Sequence, residues 1–159
     1  MIRAIGFRCA PQKVFYCIIE KSDASTGILN LDFLTLSNCL IIPEQLKYLR
    51  NNILDILNEY QIEYGGIRIT EPTSRTINRN RIYLEGVIQE LFASSSLRDY
   101  YVGQIANISK YLRIERSDFK KYLRGEKNYQ SVENWNSLKK EEKESVLTAL
   151  GALEIVSNI

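Results

Sequence analysis

Short runs of apolar residues mark the first part of the chain. Residues 2–7 and 14–20 are rich in β-branched and aromatic side chains, and Pro11 lies in the turn-like segment between them. A second turn cluster, residues 22–27, precedes residues 28–36, in which apolar and polar positions alternate. The pattern predicts three consecutive strands that pair antiparallel.

The spacing of apolar residues changes after Pro43, which suits the first position of a helix. From Leu46 to Tyr60 they recur at intervals of three and four, which predicts an amphipathic helix of about four turns. Gly65-Gly66 is expected to end the approach to a fourth strand, residues 67–70. A second long helix, a fifth strand, two short helical stretches and a last helix follow, near residues 82–92, 100–105, 108–112, 118–123 and 137–153.

This order, β-β-β-α-β-α-β-α, contains no internal repeat and no low-complexity linker, so a single domain over residues 1–159 is predicted. The apolar tail, residues 155–159, is either a docking strand or a frayed terminus. Its role is left open by the sequence.

Composition narrows the classes of function. Hydrophobic residues make up 45% and charged residues 25%, as in ordinary globular proteins, and the net charge is only +2. Cys9, Cys17 and Cys39 are odd in number and lack CxxC spacing, so we expect small buried thiols in a reducing compartment. No apolar window approaches the roughly 20 residues that cross a bilayer, which predicts a cytoplasmic protein with no membrane partner.

Histidine is absent from the sequence. That excludes Ser-His-Asp and Cys-His catalysis, HNH-type nuclease chemistry and zinc sites that use histidine. Hydrolysis by this chain would therefore depend on carboxylates and a metal ion that they hold, or on lysine or tyrosine.

Two acidic motifs accompany the element order: Ile69-Thr70-Glu71-Pro72 at the end of the fourth strand, and the glutamates of residues 141–144 at the start of the last helix. Together they resemble the RNase H-like superfamily, and within it the RuvC-type resolvases and nucleases. The resemblance implies a three-layer α/β fold with a mixed five-stranded sheet. It also implies acidic residues from the first strand, fourth strand and last helix that hold two Mg²⁺ ions about 4 Å apart.

Carried onto this chain, the resemblance makes Glu71, Glu142 and Glu144 the candidate catalytic residues, with Glu71 and Glu144 as metal ligands. The first strand departs from the family pattern, because Gly6 stands where the metal-bridging aspartate is expected and Arg8 follows closely. A degenerate site is therefore predicted. The alternative for Glu71 is a surface pair with Arg68 or Arg75, and for the glutamates of the last helix a solvated face.

Residues 110–127 contain seven basic and three acidic residues, a local charge of +4. If the segment is helical throughout, it presents a basic face that could bind phosphates; the alternative is a solvent face scattered by a break at Ser117. A second basic group follows Glu71 on a loop, and could instead pair with Glu85 or Glu90. The candidate nucleic-acid-binding residues of the two groups are Arg113, Arg116, Lys120 and Arg124, and Arg75, Arg79 and Arg81.

Two hypotheses of function remain open. The first is a RuvC-like protein that engages branched or single-stranded nucleic acid, with weak or lost Mg²⁺-dependent catalysis. The second is a non-catalytic pseudoenzyme subunit that binds a protein partner in a larger complex. The resemblance also implies a homodimer.

Overall fold

The computed structural model describes residues 1–129 and 132–156. The five strands are β1 (Ile2–Cys9), β2 (Lys13–Lys21), β3 (Thr26–Thr35), β4 (Tyr64–Arg68) and β5 (Asp99–Gly103). The helices are α1 (Ile42–Glu59), α2 (Arg79–Ser94), α3 (Ile105–Leu112), α4 (Arg116–Arg124) and α5 (Lys140–Glu154), with a short 3₁₀ helix at Trp135–Ser137.

The strands form one mixed sheet in the order β3-β2-β1-β4-β5. The hairpin pairs β1–β2 and β2–β3 are antiparallel, while β1–β4 and β4–β5 are parallel. Helices α1 and α2 cover one face over a core that includes Phe7, Ile53 and Phe92. Helices α3, α4 and α5 cover the other face, and the predicted three-layer α/β fold is confirmed.

The prediction for Gly65-Gly66 is wrong, because both residues lie inside β4. Each glycine lies close to a bulky side chain, and the two side chains are on different faces of the sheet. A Cβ on Gly65 would lie 2.9 Å from Leu97 Cδ1, and one on Gly66 would lie 2.5 Å from Tyr101 Cε1. The pair therefore admits bulky side chains on both faces and does not end the strand.

The two short helical stretches predicted near residues 108–112 and 118–123 are confirmed as α3 and α4, and the alternative of one continuous basic helix over residues 110–127 is contradicted. The chain leaves α3 at Arg113, which adopts a left-handed conformation with φ of 56°, and re-enters a helix at Arg116. Ser117 lies inside α4, so it is not the break. The turn lets both Ile108 and Phe119 reach the same core.

Cys9 and Cys17 are buried as expected, whereas Cys39 is exposed. Within residues 1–129 and 132–156, no helix combines the length and the apolar character that a membrane span needs. Of the tail, Ile155 is buried beside α5, and residues 157–159 lie outside the described part of the chain.

Candidate functional site

The register between β1 and β4 places like residues side by side. Gly6 pairs with Gly66, and Arg8 pairs with Arg68. Because side chains alternate along a strand, all four positions belong to one face of the sheet. That face is the one covered by α5, since Ala4 on β1 and Ala149 on α5 share its core. Two glycines are thus followed, two residues later, by two arginines.

Helix α5 lies directly on Gly6. A Cβ added at this position would be 2.2 Å from the backbone nitrogen of Ala149 and 2.5 Å from the carbonyl oxygen of Ser145. Real Cβ atoms essentially never come closer than 3.0 Å to such atoms. Glycine is therefore required for the close approach, and an aspartate at position 6 does not fit against this helix.

The two arginines surround Glu144, whose side chain is only 2% exposed. Arg8 Nε lies 3.0 Å and Arg68 Nε 3.5 Å from Glu144 Oε2. Arg8 Nη1 also donates a hydrogen bond to the carbonyl oxygen of Arg68 at 3.3 Å. Burial, and next the positive charge of Arg8, lower the pKa of Arg68, while Glu144 and Glu71 act in the opposite direction.

The carboxylate of Glu71 is used twice within the protein. Its Oε1 accepts a hydrogen bond from the backbone N–H of Ile105 at 2.8 Å, at the first turn of α3. The same oxygen lies 3.4 Å from Arg68 Nη2. Glu71 therefore satisfies a helix N-terminus and pairs with Arg68, which was the alternative considered from the sequence, although the pair is half-buried.

Glu142 has a local structural role at the N-terminus of α5. Its Oε2 accepts a hydrogen bond from the backbone N–H of Lys139 at 2.7 Å, as the third residue of a capping box does. The two glutamates therefore have different surroundings. Glu142 is half-buried at the end of a helix, and Glu144 is buried between the two arginines.

The residues at this place do not fit a two-metal centre. Position 6 has no oxygen ligand and no room for one, and the buried Glu144 is already matched by two cations. Mg²⁺ requires oxygen ligands, and guanidinium groups repel it. Among the described residues, no three Asp, Glu or Cys side chains gather as a metal-binding group.

A pocket of about 310 Å³ opens above the arginine pair. Lys120 and Arg124 of α4 line it, together with Lys140 at the start of α5, and all three are exposed. We call this pocket, with Arg8, Arg68, Lys120, Arg124, Lys140 and Glu144, the basic pocket. It brings two of the predicted nucleic-acid-binding residues to the candidate site.

The other predicted basic residues are dispersed. Arg116 is exposed on α4, and Arg113 lines a separate cavity of about 430 Å³ beside Tyr111 and Glu154. Arg75 lies exposed on the loop after β4. Arg79 lies in the first turn of α2, so the prediction of a loop position is wrong for it.

Arg81 also lies in that first turn, on the helix layer opposite α5. The acidic partners considered for this group are engaged elsewhere. Glu85 accepts hydrogen bonds from Thr70 at 2.7 and 2.8 Å, and Glu90 pairs with Arg50 at 2.9 Å.

Three residues of the basic pocket were not singled out in the sequence: Arg8 and Arg68 as a pair, and Lys140. A signal for the pair is present, since β1 contains Gly6-Phe7-Arg8 and β4 contains Gly66-Ile67-Arg68. The repeated G-x-R pattern places a glycine and an arginine on one face of each strand. No local pattern singles out Lys140 from the other lysines around it.

No protein-family model matches the sequence, and no curated protein sequence matches it either. Solved structures do. RuvC of Thermus thermophilus superposes with a TM-score of 0.72 at 10% identity, over 99% of this chain and 96% of that one. The Fowlpox virus resolvase in complex with its substrate Holliday junction DNA superposes with a TM-score of 0.60 at 11% identity, over 98% and 99% of the two chains.

Both superpositions extend over nearly the whole of each chain. Identities this low carry the fold and not the activity. The chain therefore has a RuvC-like, RNase H-like fold over nearly its whole length.

Proposed function

We propose that the protein binds the sugar-phosphate backbone of branched or single-stranded nucleic acid without a metal ion and without cleaving it. The observation that carries this proposal is the contact of Arg8 and Arg68 with Glu144 at 3.0 and 3.5 Å. In this arrangement a buried glutamate lies between two cations, and Gly6, which has no room for a side chain, stands where the resemblance to RuvC-type proteins expects a carboxylate. These features support a RuvC-like fold that works without two metal ions.

The positive charge of the basic pocket supports the binding of nucleic acid. Five cations and one carboxylate line the basic pocket, although the net charge of the whole chain is only +2. Positive charge concentrated at one site attracts phosphates and releases their counterions, which gives affinity without sequence preference. A Thermus thermophilus RuvC structure and the Fowlpox virus resolvase structure both contain Holliday junction DNA, which makes a four-way junction the first substrate to test.

The test is fluorescence anisotropy with a labelled four-way junction, single strand and duplex in EDTA, at several salt concentrations. We expect binding that weakens steeply with salt and labelled DNA that stays intact when Mg²⁺ or Mn²⁺ is added. Lys120→Gln should reduce the slope of log Kd against log salt by about 1, as the loss of one phosphate contact does. Lys47→Gln, on α1 across the sheet, is the matched control and should leave the slope unchanged.

Two outcomes contradict the proposal. One is the absence of binding to any of the three substrates at low salt. The other is metal-dependent cleavage of the junction.

The second hypothesis, a subunit that binds a protein partner, and the predicted homodimer stay predictions. Light scattering on the purified chain tests the homodimer directly. A mass of about twice 18.4 kDa supports the homodimer, and a mass near 18.4 kDa contradicts it.

A further inference from the structure

The cations of the basic pocket fall into a buried group and an exposed group. Arg8 and Arg68 are 8% and 5% exposed and form the base with Glu144. Lys120, Arg124 and Lys140 are exposed and form the rim. At about 310 Å³ the pocket is at the small end of ligand sites, so it suits a compact anionic group better than a base or a ring system.

The excess positive charge of the basic pocket comes from its rim. At the base, Arg8 and Arg68 pair with Glu144 and Glu71, and Glu71 also accepts the Ile105 N–H, whereas the rim adds three cations and no carboxylate. Arg68 Nε and Glu144 Oε2 are buried, and within the described residues neither makes a hydrogen bond of good geometry. A buried charged donor that lacks a well-placed acceptor is unfavourable, so an anion added beside Arg68 Nε would be stabilised there.

A phosphate monoester fits these features better than a phosphodiester. It has a charge of about −1.5 to −2 and three free acceptor oxygens, and arginine forks bind such oxygens in pairs. A diester inside a strand has one negative charge and continues in two directions. The terminal group of a strand can reach the recessed Arg8 and Arg68 past the rim without burying the nucleotides on both sides.

We propose that the basic pocket binds a terminal phosphate monoester of a nucleic acid strand directly through its arginines and lysines. This inference rests on the proposed function for the identity of the strand, whereas the affinity of the pocket for phosphate itself does not depend on it. Rim lysines confer the charge that draws the phosphate in, and the base arginines hold its oxygens.

The experiment compares single strands of one sequence with a 5′-phosphate, a 3′-phosphate or no terminal phosphate, by anisotropy in EDTA. The wild type should bind one phosphorylated strand about 10-fold more tightly than the unphosphorylated strand, as the gain of a charged hydrogen bond predicts. Lys120→Gln should remove most of that preference, and Lys47→Gln should keep it. The rim is chosen because substitutions of Arg8 or Arg68 would also disturb the fold.

A second measurement uses inorganic phosphate alone. Thermal unfolding of the wild type should shift upward with phosphate at constant ionic strength, since a ligand of the folded state stabilises it, and the shift should shrink in Lys120→Gln. Equal affinity for all three strands, with no effect of Lys120→Gln on the phosphate shift, overturns the inference and leaves the proposed function standing. A phosphate shift that depends on Lys120, without binding of any strand, supports the pocket and overturns the proposed function.

Discussion

A single methyl group at position 6 should test the close contact between β1 and α5. In Gly6→Ala the new Cβ would lie 2.2 Å from the Ala149 backbone nitrogen and 2.5 Å from the Ser145 carbonyl oxygen. Ordinary contacts of a Cβ begin at 3.4 Å, so the helix must move away from the strand by roughly 1 Å. The obstacle is backbone, which cannot rotate aside as a flexible side chain does.

The expected loss of stability is large for so small a change. Overpacking a well-filled core typically costs about 1–3 kcal/mol, and this displacement also loosens the contacts of Val146 and Leu153 on α5. We therefore expect Gly6→Ala to lower the free energy of unfolding by about 3 kcal/mol or more. Gly6→Asp should cost at least as much, because it adds a buried charge to the same clash.

Urea unfolding followed by circular dichroism measures the effect, with Gly86→Ala as the matched control. Gly86 lies exposed on α2, and a Cβ there meets nothing within 4 Å. The control should be unchanged or stabilised by about 0.4–1 kcal/mol, as glycine-to-alanine changes in open helical positions are. A Gly6→Ala protein within about 0.5 kcal/mol of the wild type would show that the contact between β1 and α5 is not tight, and that α5 leaves room for a first-strand carboxylate.

Glu144→Gln should lower the free energy of unfolding by about 3–5 kcal/mol in the same assay, because two buried arginines lose their shared countercharge; a loss under about 1 kcal/mol would contradict this. Glu71→Ala should cost about 0.5–2 kcal/mol by removing the acceptor of the Ile105 N–H, and Glu71→Gln, which keeps an acceptor oxygen, should retain most of that stability; equal losses in the two variants would count against the cap. Burial raises the pKa of Tyr16 to about 12, so between pH 10 and 12 the folded protein keeps a proton that the unfolded chain releases, and stability falls as pH rises through this window. Tyr16→Phe should show a shallower fall in urea titrations over that range, and identical slopes would show that Tyr16 is not responsible.

The order of elements could be predicted from the sequence because it depends on local periodicity. The switch from alternating residues to three- and four-residue spacing at Pro43 marks the boundary between the hairpins and α1, and the structure has it there. The presence of Gly6 where the family resemblance expects an aspartate could also be recognised in the sequence, because this comparison requires only the position of the first strand.

The pairing of Arg8 with Arg68 could not be obtained in the same way. It depends on the parallel register of β1 and β4, which are separated by two strands and a helix in sequence. Period-two alternation shows that each glycine shares a face with the arginine that follows it, but only the register brings the two G-x-R segments together. Of the ion pairs in the site, the sequence therefore offered only Glu71 with Arg68 as an alternative, and the pairing of Glu144 with both arginines was not predicted.

The two helices α3 and α4 were predicted as separate stretches, but the position considered for the break, Ser117, was wrong. Arg113 is not a residue that favours a left-handed conformation, and the sequence there contains neither glycine nor proline. Tertiary packing decides the turn, because Ile114 packs against the core between Ile108 and Phe119. The same turn separates Arg113 from Lys120 and Arg124, so that only the latter two reach the basic pocket.

We propose that Arg8 and Arg68 leave no place for a metal centre beside Glu144, and calorimetry with Mg²⁺ and Mn²⁺ measures this. The titration is run on the wild type and on Glu71→Ala, with Glu142→Gln as a control near the same site. We predict no binding up to low-millimolar metal in any of the three proteins. Micromolar to low-millimolar binding by the wild type that disappears in Glu71→Ala would contradict the account, because it would mean that an acidic metal site assembles despite Gly6.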